Sequence, residues 1–203
     1  MAAVSSAAKA IVYLHGFISS PASRKATLLG DYVRNCVGGI DYVVPALHHR
    51  PAVALEEAAR ACAPYAARDL TLVGSSLGGY YATVIAERLG CRAVVLNPAV
   101  HPHRHFGRYL GPQTNLYTGE AFELTVEHVA ELMAMDVDAI TRPERYWLIV
   151  ETGDEVLDYR EAVAFYAGAC QTVVRGGDHA LSSFTEHVPD IVAWAAGEGE
   201  AAA

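Results

Sequence analysis

Leu70-Thr71-Leu72-Val73-Gly74-Ser75-Ser76-Leu77-Gly78-Gly79-Tyr80 is the stretch that decides the fold class of this chain. An apolar, β-branched run enters it. A serine flanked by glycines sits in the middle, in the pattern G-x-S-x-G. A helical run, Tyr80–Leu89, leaves it and meets Gly90, a natural helix stop. A serine on a sharp strand-to-helix turn sits in strained backbone, so its neighbours must be very small. The turn lifts the hydroxyl above the sheet, and the helix start beneath supplies free N–H groups for developing negative charge. The five-residue pattern alone is weak. A strand before it and a helix after it give it meaning.

Working outward, five more short runs resemble the entering strand: Ala10–Leu14, Asp41–Val44, Ala93–Leu96, Tyr146–Val150 and Thr172–Val174. Continuous apolar runs suit strands buried on both faces. Helical spacing fills several gaps: Val53–Ala67, with Glu56 and Glu57 early, Tyr80–Leu89, and Tyr159–Ala169. Alternating strands and helices predict an α/β protein: a doubly wound, mostly parallel sheet of about six strands, ordered 2-1-3-4-5-6. About fifty residues separate Asn97 from Tyr146, far more than a crossover needs. Helical patterning around Leu124, Val129, Leu132 and Met133 makes roughly 100–142 a small helical cap inserted in one domain, 1–203. Its apolar residues Phe106, Leu110, Leu116, Phe122, Leu132 and Met133 are expected to divide between the core and an acyl-binding surface. The Ala/Gly/Glu tail, 197–203, is expected to fray.

A serine hydroxyl attacks only when a base removes its proton. On this architecture the partners follow in the order Ser, acid, His. The last strand leads into Gly176-Gly177-Asp178-His179, whose small residues let the loop reach back, so His179 is the expected base. The fifth strand leads into Thr152-Gly153-Asp154-Glu155-Val156. Asp154 stands where the acid belongs; Asp158 is the next candidate. Asp178 is disfavoured, because adjacent side chains rarely face each other, and it is expected to pin its loop. The oxyanion hole needs two N–H donors. Leu77, after the serine, is one, and Phe17, in His15-Gly16-Phe17 after the first strand, is the other. Strands 1 and 3 neighbour each other at the switch point, so Phe17 and Ser76 should meet there. His15 is expected to brace that loop, and Tyr80 and Tyr81 to pack. No substrate-binding residue is legible.

Other chemistries fit less well. A dinucleotide fingerprint needs G-x-G-x-x-G after the first strand, and no Walker lysine is present. His101-Pro102-His103-Arg104-His105 has no HExxH or cysteine partner, so no metal is expected there. Cys36, Cys62, Cys91 and Cys170 lack CxxC spacing and read as buried thiols of a reducing cytosol. The chain has 203 residues, 52% hydrophobic and 19% charged, enough for one core. Its net charge of -8 argues against a nucleic-acid partner or an anionic membrane surface. No apolar run approaches the ~20 residues of a membrane span, and the start does not read as a signal peptide, so a cytoplasmic location is expected.

Taken together, Tyr13-Leu14-His15-Gly16-Phe17 with Ser19-Ser20-Pro21, Gly74-Ser75-Ser76-Leu77-Gly78-Gly79-Tyr80, Asn97-Pro98-Ala99, Thr152-Gly153-Asp154-Glu155-Val156-Leu157-Asp158-Tyr159 and Gly176-Gly177-Asp178-His179 resemble the small bacterial YqiA/YcfP-type esterases. The resemblance runs from about Ala10 to Trp194. It implies a compact α/β-hydrolase acting on acyl esters or acyl-CoA thioesters, with Ser76 as nucleophile, His179 as base and Asp154 as acid. The His-rich loop around His103 is no part of it. The expectation is therefore a serine esterase working through an acyl-serine intermediate, needing no cofactor and taking a small-molecule ester. Thioester cleavage by the same residues is the neighbouring reading. A catalytically silent binding protein on the same fold is the distant one.

Overall fold

The computed structural model describes residues 9–197. The expectations for the first eight residues and for the tail beyond Gly197 lie outside the described residues. In chain order the elements are β1 (Lys9–Leu14), α1 (Arg24–Cys36), β2 (Ile40–Val43), α2 (Pro51–Cys62), β3 (Leu70–Ser75), α3 (Leu77–Leu89) and β4 (Arg92–Leu96). They continue with β5 (Gly111–Thr114), β6 (Ala121–Leu124), α4 (Val126–Ala134), β7 (Tyr146–Glu151), α5 (Tyr159–Phe165), β8 (Cys170–Val174) and α6 (Phe184–Ala196).

The main sheet is six-stranded, parallel throughout, in the order β2-β1-β3-β4-β7-β8. This is the 2-1-3-4-5-6 order the sequence predicts, and all six expected runs lie on it. Val12, Leu72, Val95 and Leu148 point to one face, which α2, α3 and α5 cover; Ile11, Val73, Val94 and Ile149 point to the other, under α1 and α6. A strand buried on both faces has no polar side to alternate with, so its apolar run is continuous. Each such side chain contributes about 1.5–3 kcal/mol by leaving water.

Helix α3 starts immediately after Ser76 and stops at Gly90, left-handed at φ 74°. Helix α2 is shorter than expected: Pro51, buried at its first turn, opens it, and it ends at Cys62, short of Ala67. Likewise α5 stops at Phe165. Helices α1 and α6 were not marked by periodicity. In α6 the reason is Pro189, which lacks an N–H and crowds the preceding turn. Burial of Phe184, Val188, Ile191 and Val192 offsets that cost.

The segment between β4 and β7 carries the expected helix around Val129, Leu132 and Met133, but only part of it is helical. It holds short 3-10 turns at Pro102–Arg104 and Phe106–Tyr109, an antiparallel hairpin of β5 and β6, and one helix, α4. Gly111 and Pro112 hide the hairpin from β propensity; it is closed by Asn115, whose side chain accepts from the N–H groups of Tyr117 and Thr118. The hairpin tip is pinned to the loop after β1: Asn115 Nδ2 donates to the Ser19 carbonyl at 2.9 Å, and Leu116 N–H to that of Ile18 at 3.1 Å. Among the described residues no helix is long and apolar enough to cross a membrane.

Candidate active site

Ser76 sits at φ 55°, ψ -122°, a conformation that a non-glycine residue adopts only when its surroundings hold it. The surroundings are backbone. A Cβ on Gly74 would run into the Gly78 carbonyl, and a Cβ on Gly78 into the Leu14 carbonyl at the end of β1. The Ser76 amide donates to the Leu96 carbonyl, and its carbonyl accepts from Gly79, Tyr80 and Ala99. The serine is thus clamped between β1, β4 and the start of α3.

His179 Nε2 lies 3.0 Å from Ser76 Oγ, and His179 Nδ1 lies 2.8 and 3.0 Å from the two oxygens of Asp154. An ionised carboxylate only accepts, so the imidazole proton sits on Nδ1 and the Nε2 lone pair faces the serine. The Asp154 side chain is only 2% exposed. Burial pushes its carboxyl pKa up, but hydrogen bonds from His179 and from the N–H groups of Leu157 and Val156 outweigh it, holding Asp154 below its ordinary value. Asp158 is elsewhere: it caps α5, accepting from Arg160 N–H at 3.0 Å.

Phe17 and Leu77 both line a small cavity next to Gly16. Among the described residues, no acceptor takes the backbone N–H of either. Gly16 lies so close that a Cβ there would be 3.3 Å from Ser76 Cβ. The Phe17 ring is held edge-on by Phe106 and Phe122 of the inserted segment, at 4.8 and 5.9 Å between centroids. His15 is buried and accepts from Leu47 N–H at 3.2 Å; burial pushes its pKa down. It braces the loop, as expected. Tyr80 donates to the Leu132 carbonyl, tying α3 to α4.

Two residues that sequence reasoning missed hold the histidine loop. Glu151, at the end of β7, is completely buried. Its carboxylate accepts from the N–H groups of Asp178 (2.7 Å), Ser182 (3.0 Å) and Ser183 (2.8 Å) and from the Ser182 hydroxyl. Gly177, at φ 71°, is required there, because a Cβ would collide with that carboxylate. Burial raises the Glu151 pKa, and the donors of Ser183, Asp178 and Ser182 more than reverse it. Asn97, at φ 39°, donates from Nδ2 to the carbonyls of Asp178 and His179, while its Oδ1 accepts from Glu151 N–H. The loop is therefore pinned through its backbone. The expectation that the Asp178 side chain does the pinning is corrected: its Oδ1 is buried with no partner among the described residues. The only legible signal was Asn97-Pro98 closing a strand.

His101 and His103 converge on one Asp136 oxygen, at 2.6 and 3.3 Å, and among the described residues no group of three or more His, Cys, Asp or Glu is arranged to hold a metal. None of the four cysteines forms a disulfide, but Cys36 is exposed and Cys170 half-buried, so only Cys62 and Cys91 fit the buried reading. A cavity of about 450 Å³ opens beside Ser76 and His179, between the start of α1 and the loop leading to α6. Of the six apolar cap residues only Leu116 borders it. Phe106 and Leu132 are buried in the core, Leu110 and Met133 are exposed, and Phe122 borders a second, smaller cavity together with Phe17 and Leu77.

Solved structures share this architecture. Alpha/beta hydrolase domain-containing protein 10 from mouse superposes with a TM-score of 0.72 at 14% identity, over 94% of this chain and 90% of that one. Est1E from Butyrivibrio proteoclasticus superposes with 0.69 at 16% identity, over 94% and 89%. At such identities the likeness carries the fold, that of the α/β-hydrolases. A UPF0227 protein of Serratia proteamaculans is 31% identical over 96 residues, 47% of this chain and 53% of that protein. One of Vibrio cholerae is 31% identical over 93 residues, 45% and 52%. The chain thus spans about half the length of these curated relatives. The model of the uncharacterised protein family UPF0227 matches residues 10–196, nearly everything described above, and the chain belongs to that family.

Proposed function

We propose that this chain is a serine hydrolase that cleaves carboxylic esters, folded as one α/β-hydrolase domain with an insertion near 100–142. The observation that carries the reading is the relay from Asp154 through His179 to Ser76 Oγ, with consecutive contacts of 2.8 and 3.0 Å. His179 Nε2 takes the Ser76 proton as Oγ attacks the acyl carbon. The N–H groups of Phe17 and Leu77 receive the negative charge on the carbonyl oxygen. The C–O bond to the alcohol then breaks, and the leaving oxygen takes the proton from His179. Water attacks the acyl-Ser76 ester, again losing its proton to His179, and the acid departs as Ser76 is restored. Asp154 holds the tautomer and balances the imidazolium charge.

Neither the family nor the two relatives described above name a substrate. The likeness to Est1E carries the fold alone. The test is labelling by a fluorophosphonate together with p-nitrophenyl acetate turnover. The expected result is a single adduct on Ser76, absent from Ser76→Ala. Turnover by Ser76→Ala at the wild-type rate would overturn the assignment.

A further inference from the structure

The loop after β1 stands in a conformation that its own residues disfavour. Ile18, directly after Phe17, sits at φ 48°. That is the left-handed region, where a β-branched side chain crowds the backbone and where Gly, Asn and Asp are at home. Such a residue persists only when its surroundings hold it. Here the hold comes from the inserted segment. The Ile18 carbonyl accepts from Leu116 N–H at 3.1 Å, and the Ser19 carbonyl accepts from Asn115 Nδ2 at 2.9 Å, across 96 residues of chain. The Phe17 ring meets Phe106 and Phe122 edge-on. On the other side of Phe17, Gly16 is pressed against Ser76. The peptide that carries the Phe17 N–H is therefore fixed at one end by the nucleophile's turn and at the other by the β5–β6 hairpin.

Asn115 is the residue through which that second hold passes. Its Oδ1 accepts from the N–H groups of Tyr117 and Thr118, at 2.9 and 3.0 Å, which closes the hairpin turn. An amide whose oxygen is taken by two donors has only its nitrogen left to offer, so Nδ2 faces the Ser19 carbonyl. Asn115 is itself held by its backbone: its N–H donates to the Glu120 carbonyl at 2.8 Å, and its carbonyl accepts from Gly119 N–H at 2.9 Å. Apolar burial does not fasten the tip, because Leu116 is 76% exposed and Tyr117 51%. Hydrogen bonds carry the attachment. An oxyanion hole works only when its donors stand in place before charge develops. A strained residue released from its clasp relaxes, and the neighbouring N–H turns with it.

We propose that Asn115 is a positioning residue for the oxyanion hole: by clasping the Ser19 carbonyl it keeps Ile18 in left-handed backbone and so aims the Phe17 N–H at the reacting carbonyl oxygen; the inference rests on the serine-hydrolase reading above, in which that N–H is a donor.

The test is Asn115→Asp in the full chain, with p-nitrophenyl acetate as substrate. Aspartate keeps the oxygen that closes the turn and replaces the donor to Ser19 by an acceptor. The kcat should fall at least ~10-fold with KM within about twofold, since a misplaced donor is missed in the transition state and not in the ground state. Affinity for a trifluoromethyl ketone, whose adduct with Ser76 Oγ carries a negative oxygen at the same point, should fall by a comparable factor. The pH at which kcat/KM rises should stay where wild type has it, because a defect at the oxyanion hole leaves His179 as it was. Adding Ile18→Asn to Asn115→Asp should recover at least ~3-fold of the lost kcat, because asparagine accepts the left-handed region without the clasp. A role confined to stability predicts no such rescue. Asn115→Ser, whose short hydroxyl can still close the turn but cannot reach Ser19, should show the same split between kcat and KM and decides the matter where Asn115→Asp does not fold. An unchanged kcat, a shifted pH profile or a double variant no faster than Asn115→Asp, in each case beside an active wild type, overturns the proposal and leaves the hydrolase reading intact. A wild type that neither cleaves the ester nor takes a fluorophosphonate on Ser76 overturns the hydrolase reading and this proposal with it.

Discussion

The two arms that present Ser76 and His179 are built by different physics. The serine arm is held by sterics: Gly74 and Gly78 leave room for carbonyls that a methyl group would strike, and the backbone has nowhere else to go. The histidine arm is held by polar satisfaction: one buried carboxylate, Glu151, gathers the N–H groups of Asp178, Ser182 and Ser183, and Asn97 takes the carbonyls of Asp178 and His179. A steric arm breaks when an atom is added. A polar arm breaks when a charge or a donor is removed. It also carries a pH dependence that the first does not.

The largest expected effect is on the chemistry both arms serve. Ser76→Ala should lose at least ~10³-fold in kcat/KM with the fold kept, and Ser75→Ala far less. Equal losses at the two positions, in a folded-state check by circular dichroism and a rate assay, would show that the elbow presents the wrong serine. Asp154→Asn follows, with a loss of at least ~10²-fold, because the amide no longer fixes the imidazole proton on Nδ1. Asp158→Asn, at a helix cap, should leave turnover within about twofold, since weakening a cap costs stability and not chemistry. Were Asp158→Asn the worse variant, the acid would have to be reassigned.

Glu151→Gln sharpens the contrast between the arms. Its amide nitrogen meets N–H donors, so kcat should fall about 10-fold or more with KM little changed, as the loop loses its fixed geometry. The stability effect has a definite sign. Glu151 is held below its ordinary carboxyl pKa in the folded state, so its contribution is fully present above the unfolded value and is lost as pH falls through the folded one. Unfolding free energies of wild type and Glu151→Gln from urea titration should therefore differ most near neutrality, by about 1.5–3 kcal/mol, and converge on acidification below the usual glutamate range. A gap that stays constant from neutral to acid pH would show that the carboxylate charge is not what holds the loop.

The smallest effects belong to exposed apolar side chains of the inserted segment. Leu116→Ala trims a residue bordering the cavity and should change relative kcat/KM across a graded ester series by up to ~4-fold. Met133, which is 66% exposed and away from the cavity, should leave the series unchanged on conversion to Ala. A shifted preference in Met133→Ala, with none in Leu116→Ala, would return the acyl boundary to α4.

Much of this molecule is legible in its sequence. The six apolar runs declared a buried parallel sheet because a strand covered on both faces has only one way to be written, and G-x-S-x-G declared its turn because only glycine tolerates the carbonyls around Ser76. His179 and Asp154 followed from chain order on that architecture, and they lie within hydrogen-bonding reach of the serine and of each other. What the chain kept hidden was whatever depends on partners far along it. Helix α6 forms across Pro189 because Phe184, Val188 and Ile191 are buried by a sheet that no local window contains. Hairpin β5–β6 forms despite Gly111 and Pro112 because Asn115 and Leu116 reach the loop after β1. Glu151 reads as a strand-end carboxylate like many others; only the return of residues 177–183 from the far side of β8 surrounds it with donors. Apolar periodicity and small-residue turns are local, and sequence carries them. The satisfaction of buried polar groups, which orients His179, is settled only when distant backbone arrives.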